Sequence, residues 1–339
     1  MTQGRSVMKK RLRIAVAGDL LYDCFAWADR LPRMGETVTG YQNGFFQGGK
    51  GGNQAIAAAR LGAEVWMLGK VGRDERGDFL LSELDKNGVH TEDVIISDQV
   101  STGTCCVQVD SQGHNFIIVV PLANEQITDA EGHDFEARIT QSDAVLCQLQ
   151  LRPETALQVL RAARKAGCLA VLNPAPAKAL PEDAFAMADY VTPNETEAEF
   201  YTGLSRESLP LAEWCEEASR RLLRMGARRV LLTLGEHGAY YKDGRECFLT
   251  PAFSVDAVDS TAAGDAFNAA FILRIAMGDA VRDAVVYANA AGALTASKRG
   301  SQPSLPTAKC VAEFLRTRVI TSIKEGEICI SADIWITRY

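Results

Sequence analysis

Residues 258–272 read VDSTAAGDAFNAAFI and place a carboxylate, Asp265, directly behind the small residues Ala262, Ala263 and Gly264. Phe267, Ala270, Phe271 and Ile275 follow at helical spacing and Gly278 offers a stop, so the stretch predicts a largely buried helix with an acid at its mouth. The first turn of a helix has backbone N–H groups without intrahelical partners, and the aligned peptide dipoles favour an anion there. Small side chains let that anion approach the backbone closely. A carboxylate in the same place can take the proton of an incoming hydroxyl. An anion hole beside a base suits phosphoryl transfer, because the hole stabilises charge on the moving group while the acid orients the nucleophile. The competing reading is an Asp that merely caps its own helix.

Three other stretches bear on that choice. VTPNETEAEF sets Asn194, Glu195 and Glu197 at a helix start; Asn194 and Glu197 share a helix face and suit a hydrated magnesium ion, or form an ordinary acidic first turn. LLTLGEHGAY puts Thr233, Gly235 and Gly238 in a loop leaving a strand, a place for nucleotide phosphates or a plain turn into a hairpin. FFQGGKGGNQA satisfies G-x-x-x-x-G-K from Gly44 to Lys50, but Gly51 stands where a Walker loop needs Ser or Thr to hold magnesium, so that loop is rejected. What remains is a glycine-rich turn feeding a helix, with Lys50 and Asn53 as polar groups and Gly48-Gly49 as a candidate hinge. A dinucleotide fingerprint also fails, since AVAGDLLYD has one glycine after the first strand.

Composition narrows the partners. The 339 residues carry 36 Lys plus Arg against 43 Asp plus Glu, a net charge of −7 with no basic block, which argues against nucleic acid. Nine irregularly spaced cysteines without a C-x-x-C read as reduced thiols in a cytoplasm, and the four histidines form no zinc motif. The apolar run near the N-terminus is short and broken by Gly18-Asp19, so it is read as a first strand rather than a signal core. No apolar stretch approaches membrane-spanning length, and no membrane partner is expected.

The elements that must position these residues alternate. LRIAVAG predicts a strand, NQAIAAARLG a helix, AEVWMLGKVG a strand and GDFLLSELDKNG a helix. DAVLCQL, CLAVLN, ADYVTPN and RRVLLTLG read as further strands separated by helices, and helices dominate from Gly264. This pattern predicts a three-layer α/β/α domain with a mainly parallel central sheet. Two excursions, about 23–47 and 101–121, break the alternation and are expected to pair as a small separate sheet. No role is assigned to residues 319–339.

Taken together, PRMGETVTG, GGKGGNQAIAAARLGA, LNPAPAKALP, VTPNETEAE, TLGEHG, VDSTAAGDAFNAAF and GSQPSLP resemble, in this order and spacing, the ribokinase (PfkB) family of carbohydrate kinases over residues 11–318. The resemblance implies a single kinase domain, with the two excursions as a β-sheet lid of the kind that often pairs in a homodimer. It implies transfer of the γ-phosphoryl group of ATP to a sugar's primary hydroxyl, with D-ribose as the default acceptor. Another pentose, a ketose or a nucleoside is the alternative, and a non-catalytic sugar- or nucleotide-binding regulator the reading from a different class. By motif position Asp265 would be the base, with Ala262, Ala263 and Gly264 supplying anion-hole amides. Asp23, Gly49, Lys50, Gly51, Gly52, Asn53 and Gln150 would line the sugar. Asn194, Thr233, Leu234, Gly235, Glu236, His237, Gly238, Gly264 and Asn289 would flank the nucleotide, and Glu197 would serve Mg2+ through water. Asp259, Thr261, Thr295, Lys298, Gly300 and Ser304 would surround K+. Two departures from the family pattern touch the sugar: Leu21 stands where an Asn is usual, and Gln150 where a Glu is usual.

Overall fold

The computed structural model describes residues 11–325. The chain runs β1 (Arg13–Ala17), β2 (Leu21–Ala28), β3 (Gly40–Gly48), α1 (Lys50–Arg60), β4 (Glu64–Leu68), β5 (Lys70–Gly72), α2 (Glu75–Lys86), β6 (Val89–His90), β7 (Ile95–Ser97), β8 (Thr104–Val109) and β9 (Asn115–Val120). It continues through α3 (Asp129–Ile139), β10 (Ala144–Gln148), α4 (Pro153–Ala166), β11 (Leu169–Asn173), β12 (Tyr190–Val191), α5 (Glu195–Thr202) and α6 (Leu211–Arg224). The last part holds β13 (Val230–Thr233), β14 (Ala239–Lys242), β15 (Cys247–Thr250), α7 (Ala263–Ala276), α8 (Val281–Ala296), α9 (Ser301–Ser304) and α10 (Ala308–Glu325).

The central sheet has the order β15-β14-β13-β12-β11-β10-β1-β4-β6, parallel throughout except for the hairpin edge β13-β14-β15. Alternate residues of each inner strand feed opposite cores. Ile14, Val16, Ala144 and Leu146 face the helices α1, α7 and α8, while Ala15, Ala17, Val145 and Cys147 face α4 and α6. Burial on both faces explains why these strands are almost uniformly apolar. The sheet grows outward from β1 in both directions, so the chain reverses its order between β1 and β10. In open α/β sheets ligands bind outside the carboxyl ends of the strands at such a switch point.

β3-β2-β8-β9 form a second, four-stranded sheet built from the two predicted excursions. β2 leaves the end of β1 after only three residues and pairs parallel with β8, from Tyr22 beside Thr104 to Trp27 beside Val109. The small sheet is therefore rooted at the switch point. Its outer strand β9 is exposed along its whole length.

Two expectations are corrected. AEVWMLGKVG is two strands: β4 joins the central sheet, while β5 pairs with β7. The break falls at Gly69, whose backbone passes so close to Gly18 that a Cβ would lie 2.8 Å from the Gly18 carbonyl. The first helix starts at Lys50, ahead of the predicted Asn53, because Gly51 and Gly52 dock their amides on Asp19. Residues 319–325 continue α10, and 326–339 lie outside the described residues. Among the described residues no helix is long and apolar enough to cross a membrane, and all eight cysteines are free.

Candidate active site

The mouth of α7 is set by Ala262, which holds a left-handed backbone with φ 61°. An alanine there costs roughly 1–2 kcal/mol relative to the right-handed form. The turn aims successive amides outward. Those of Ala262, Gly264 and Asp265 have no hydrogen-bond partner among the described residues, whereas the Ala263 amide donates to the Ser260 carbonyl at 3.1 Å. The expected trio of anion-hole amides thus loses Ala263, already engaged by its own turn, and the Asp265 amide is free in its stead. Gly264 is exposed, and a Cβ placed on it would meet nothing within 4 Å. An anion therefore has open access to this helix end, where the dipole is equivalent to about half a positive charge.

Asp265 does not cap α7. Its carboxylate, 7% exposed, turns across to α1, where Oδ2 accepts from Asn53 Nδ2 at 3.0 Å and Oδ1 from Gln54 Nε2 at 2.9 Å. The capping alternative is excluded by those partners. Gln54 Nε2 also donates to Asn173 Oδ1 at 3.2 Å, and Gln54 Oε1 accepts from Gln148 Nε2. Gln148 and Asn173 stand side by side at the carboxyl ends of β10 and β11. A carboxylate on one helix is thus tied through a second helix to the switch point of the sheet.

The glycine run explains how α1 comes so near. Gly51 donates its amide to Asp19 Oδ1 at 2.9 Å and Gly52 donates to the Asp19 carbonyl at 3.0 Å. A Cβ on Gly51 would sit 2.6 Å from the Asp19 backbone, and one on Gly48 would sit 2.0 Å from the Asp23 carboxylate. Gly49, with φ 85°, needs the left-handed backbone freedom of glycine. Asp19, Asp23, Lys50, Asn53 and Gly49 therefore converge with Asp265. Asn53 Oδ1 and Asp19 Oδ2 are buried without hydrogen-bond partners among the described residues, two acceptors left open near the start of α1.

Burial raises both aspartates. Asp23 is pushed from an ordinary 3.8 to about 7, with the nearby Asp19 charge adding to the desolvation. Asp19 is pushed to about 6 by burial, opposed by the Gly51 amide and the Lys50 charge and reinforced by Asp265. Each folded value lies above the unfolded one, so the native state binds more protons between about pH 4 and 7, and stability from these groups falls as pH rises through that window. Asp23→Asn should therefore raise the melting temperature of the free protein at pH 8 and leave it nearly unchanged at pH 4.5. Equal shifts at both pH values, measured by calorimetry, would contradict this assignment.

Asn194 and Glu197 close a reciprocal capping box at the start of α5. The Asn194 amide donates to Glu197 Oε2 and the Glu197 amide donates to Asn194 Oδ1, both at 2.8 Å. The ordinary first-turn reading is thus realised, and it leaves the second Glu197 oxygen without a hydrogen bond among the described residues. Burial raises Glu197, against the Asn194 amide and the Lys50 charge and with the Asp265 charge, so this acid lies within electrostatic reach of the site. Thr233 bridges to Asn194, which seats the start of the 233–238 loop beside α5. In that loop Leu234 is core, while Glu236 and His237 are exposed. Gly238 has φ 95°, and a Cβ there would lie 2.1 Å from the Thr250 carbonyl. Asn289 donates to the Thr250 and Pro251 carbonyls at 3.2 and 3.0 Å, so its amide supports the strand against which the loop rests.

Asp259 ties the segment before α7 to the loop before α9. Its oxygens accept from the Thr261 and Gly300 amides, each at 2.9 Å, while its own amide donates to the Ala296 carbonyl. Despite burial, which opposes it, contacts with Thr261 and Gly300 and the Arg299 charge hold Asp259 below the ordinary carboxylate range. Thr295 and Ser304 spend their hydroxyl protons on the Ala291 and Ser301 carbonyls, and the Lys298 amide donates to Thr295. Any role for Thr295 at an ion is thus left to its oxygens.

Sequence reasoning missed Asp19, Gln54, Gln148 and Asn173. The available signal was position: each is a polar residue following the last apolar residue of a β1-, β10- or β11-type strand, or lies in the helix after the glycine run. Leu21 is buried with Cys105 and Val107 at the root of the small sheet, and Gln150 is half-buried just past β10.

A doubly wound sheet with free amides and an anchored acid at its switch point defines a phosphoryl-transfer type of site. The profile of the pfkB family carbohydrate kinases matches residues 11–308, and the chain belongs to this family of carbohydrate kinases. It is 37% identical over 302 residues to the ribokinase of Bacillus subtilis, covering 89% of this chain and 99% of that protein. Among solved structures it is similar to the ribokinase of Thermotoga maritima (TM-score 0.80, 31% identity, 90% and 99% of the two chains). It is also similar to Arabidopsis thaliana ribokinase complexed with ribose and ATP, with a TM-score of 0.83, 29% identity and 91% and 99% coverage.

Proposed function

We propose that the protein is an ATP-dependent kinase for the primary hydroxyl of a sugar, with D-ribose giving D-ribose 5-phosphate as the default reaction. The observation that carries this reading is the Asp265 carboxylate held beside the unpartnered amides of Ala262, Gly264 and its own backbone. Those amides stabilise negative charge on the transferring γ-phosphoryl group. Asp265 takes the acceptor hydroxyl's proton as the new O–P bond forms. Asp23, Gly49, Lys50, Gly51, Gly52 and Asn53 bind the sugar, with Asn53 Oδ1 accepting from a hydroxyl. The loop from Thr233 to Gly238, supported by Asn289, lies along the nucleotide.

No group of three or more His, Cys, Asp or Glu residues among the described residues can hold a metal directly. Glu197, through water and with its unengaged oxygen, would serve a magnesium ion that accompanies the nucleotide. The ion would supply charge neutralisation to the phosphates. The oxygen-rich loops around Asp259 suit potassium. The small sheet serves as a lid, and its exposed apolar strand, with Phe116, Ile117 and Ile118 each more than half exposed, is the surface for a homodimer. The free thiols accord with a cytoplasmic setting. Light scattering that finds only monomers at micromolar concentration would remove the dimer.

An ADP-release assay across pentoses, ketoses and nucleosides tests the activity. Ribose is expected to give the highest kcat/KM, and turnover with no acceptor would leave a binding regulator. Leu21→Asn with Gln150→Glu should raise the preference for ribose over 2-deoxyribose about tenfold, the scale of one hydrogen bond to a sugar hydroxyl. In the same assay a large organic cation in place of potassium should lower activity, and indifference to the ion would sink the Asp259 site.

A further inference from the structure

We infer that Gln54 is a positioning residue that fixes which oxygen of Asp265 receives the acceptor's proton. This rests on the reading of Asp265 as the base. Gln54 is fully buried in the first turns of α1. Its orientation is dictated from a backbone atom outward. Asn173 Nδ2 donates to the Thr192 carbonyl at 2.9 Å, so Asn173 Oδ1 is the atom that faces Gln54. Only the amide nitrogen of Gln54 can meet that oxygen, and the same nitrogen donates to Asp265 Oδ1. Its carbonyl oxygen is left for Gln148 Nε2. Turning the Gln54 amide over would press its oxygen against a carboxylate and a carbonyl, and its nitrogen against another donor.

The two oxygens of Asp265 are therefore inequivalent. Oδ1 is held inward by a side chain whose capacity is used on fixed partners. Oδ2 is held by Asn53, whose own Oδ1 is buried and unpartnered. A hydroxyl donor is what that orphan lacks, so the acceptor lies on the Oδ2 side. In the transfer the hydroxyl oxygen bonds to the γ-phosphorus, its proton passes to Oδ2, and the bond to the bridging oxygen breaks with its electron pair leaving on ADP. Gln54 moves no proton; it keeps Oδ2 turned toward the alcohol.

The test is a double-mutant cycle. Gln54→Leu should lower kcat by about 10- to 100-fold while the KM for ATP and for ribose stays within about threefold, as for an interaction realised in the transition state. In an Asp265→Asn background the same substitution should cost less than about twofold, because its only route to the reaction is gone. If Gln54→Leu keeps its full cost in that background, or costs nothing in the parent, the inference is overturned. If Asp265→Asn itself retains turnover, it is the assignment of the base that fails. Should Gln54→Leu not fold, Gln54→Glu replaces it. As a neutral acid the new side chain donates to Asp265, and once ionised it repels it. Turnover of Gln54→Glu should then recover toward low pH where the parent's does not, with Asp19, Glu197 and Lys50 common to both proteins. A parent-like pH profile would refute the role.

Discussion

Asp265→Asn should reduce turnover by at least about a hundredfold, the usual cost of removing a general base. The substitution keeps shape and volume, but it changes what the side chain offers. Both carboxylate oxygens accept from side-chain amides, one from Asn53 and one from Gln54. An asparagine presents one acceptor and one donor, so one of these contacts becomes donor against donor. Losing one hydrogen bond to a charged group costs about 1.5–3 kcal/mol, and the protein should therefore melt lower yet remain folded. Single-turnover kinetics separate the chemical step from binding. A variant that binds ATP and ribose but does not transfer fits the assignment; near-parental turnover removes Asp265 from the chemistry.

Gly51→Ala should have an effect of similar size by a purely steric route. The added methyl would lie 2.6 Å from the Asp19 amide and carbonyl, which are backbone atoms that cannot swing aside. The first turn of α1 must then retreat from the turn after β1, and Asn53 and Gln54 retreat with it. A displacement of about 1 Å at a positioning group commonly costs about a hundredfold in rate, and overpacking of this kind costs about 1–3 kcal/mol in stability. Gly264→Ala is the contrast: its methyl meets nothing, so the fold should be unaffected, while in the proposed mechanism the methyl would stand in the path of the phosphoryl group and turnover should fall. Denaturant unfolding and steady-state kinetics on both variants make the comparison. Parental kcat in Gly51→Ala would show that the close approach of α1 is not needed.

The fold was largely legible because both of its signals are local. The apolar runs of β1, β10 and β11 and the intervening amphipathic helices announce a parallel sheet buried on both faces. Asp265 stood out because an acid directly follows small residues at a helix mouth, but that stretch alone left helix capping open. The split of β4 from β5 was hidden, since no local property of Ala63–Gly72 records that Gly69 must pass the Gly18 carbonyl. The Gln54–Gln148–Asn173 chain was hidden for the same reason: its members are 94 and 119 residues apart and meet only at strand ends.

By itself, then, the sequence determined the layer order, the family motifs and the acid at the mouth of α7, all properties of short stretches read through period, composition and spacing. Only the tertiary structure decided that Asp265 reaches across to α1 rather than capping its helix, that the Ala263 amide is already taken while the Asp265 amide is free, and that Asp19 and Asp23 sit buried together. Hydrogen-bond direction and desolvation depend on which chain segments the sheet brings to its switch point, and that depends on strand order, which no single stretch encodes.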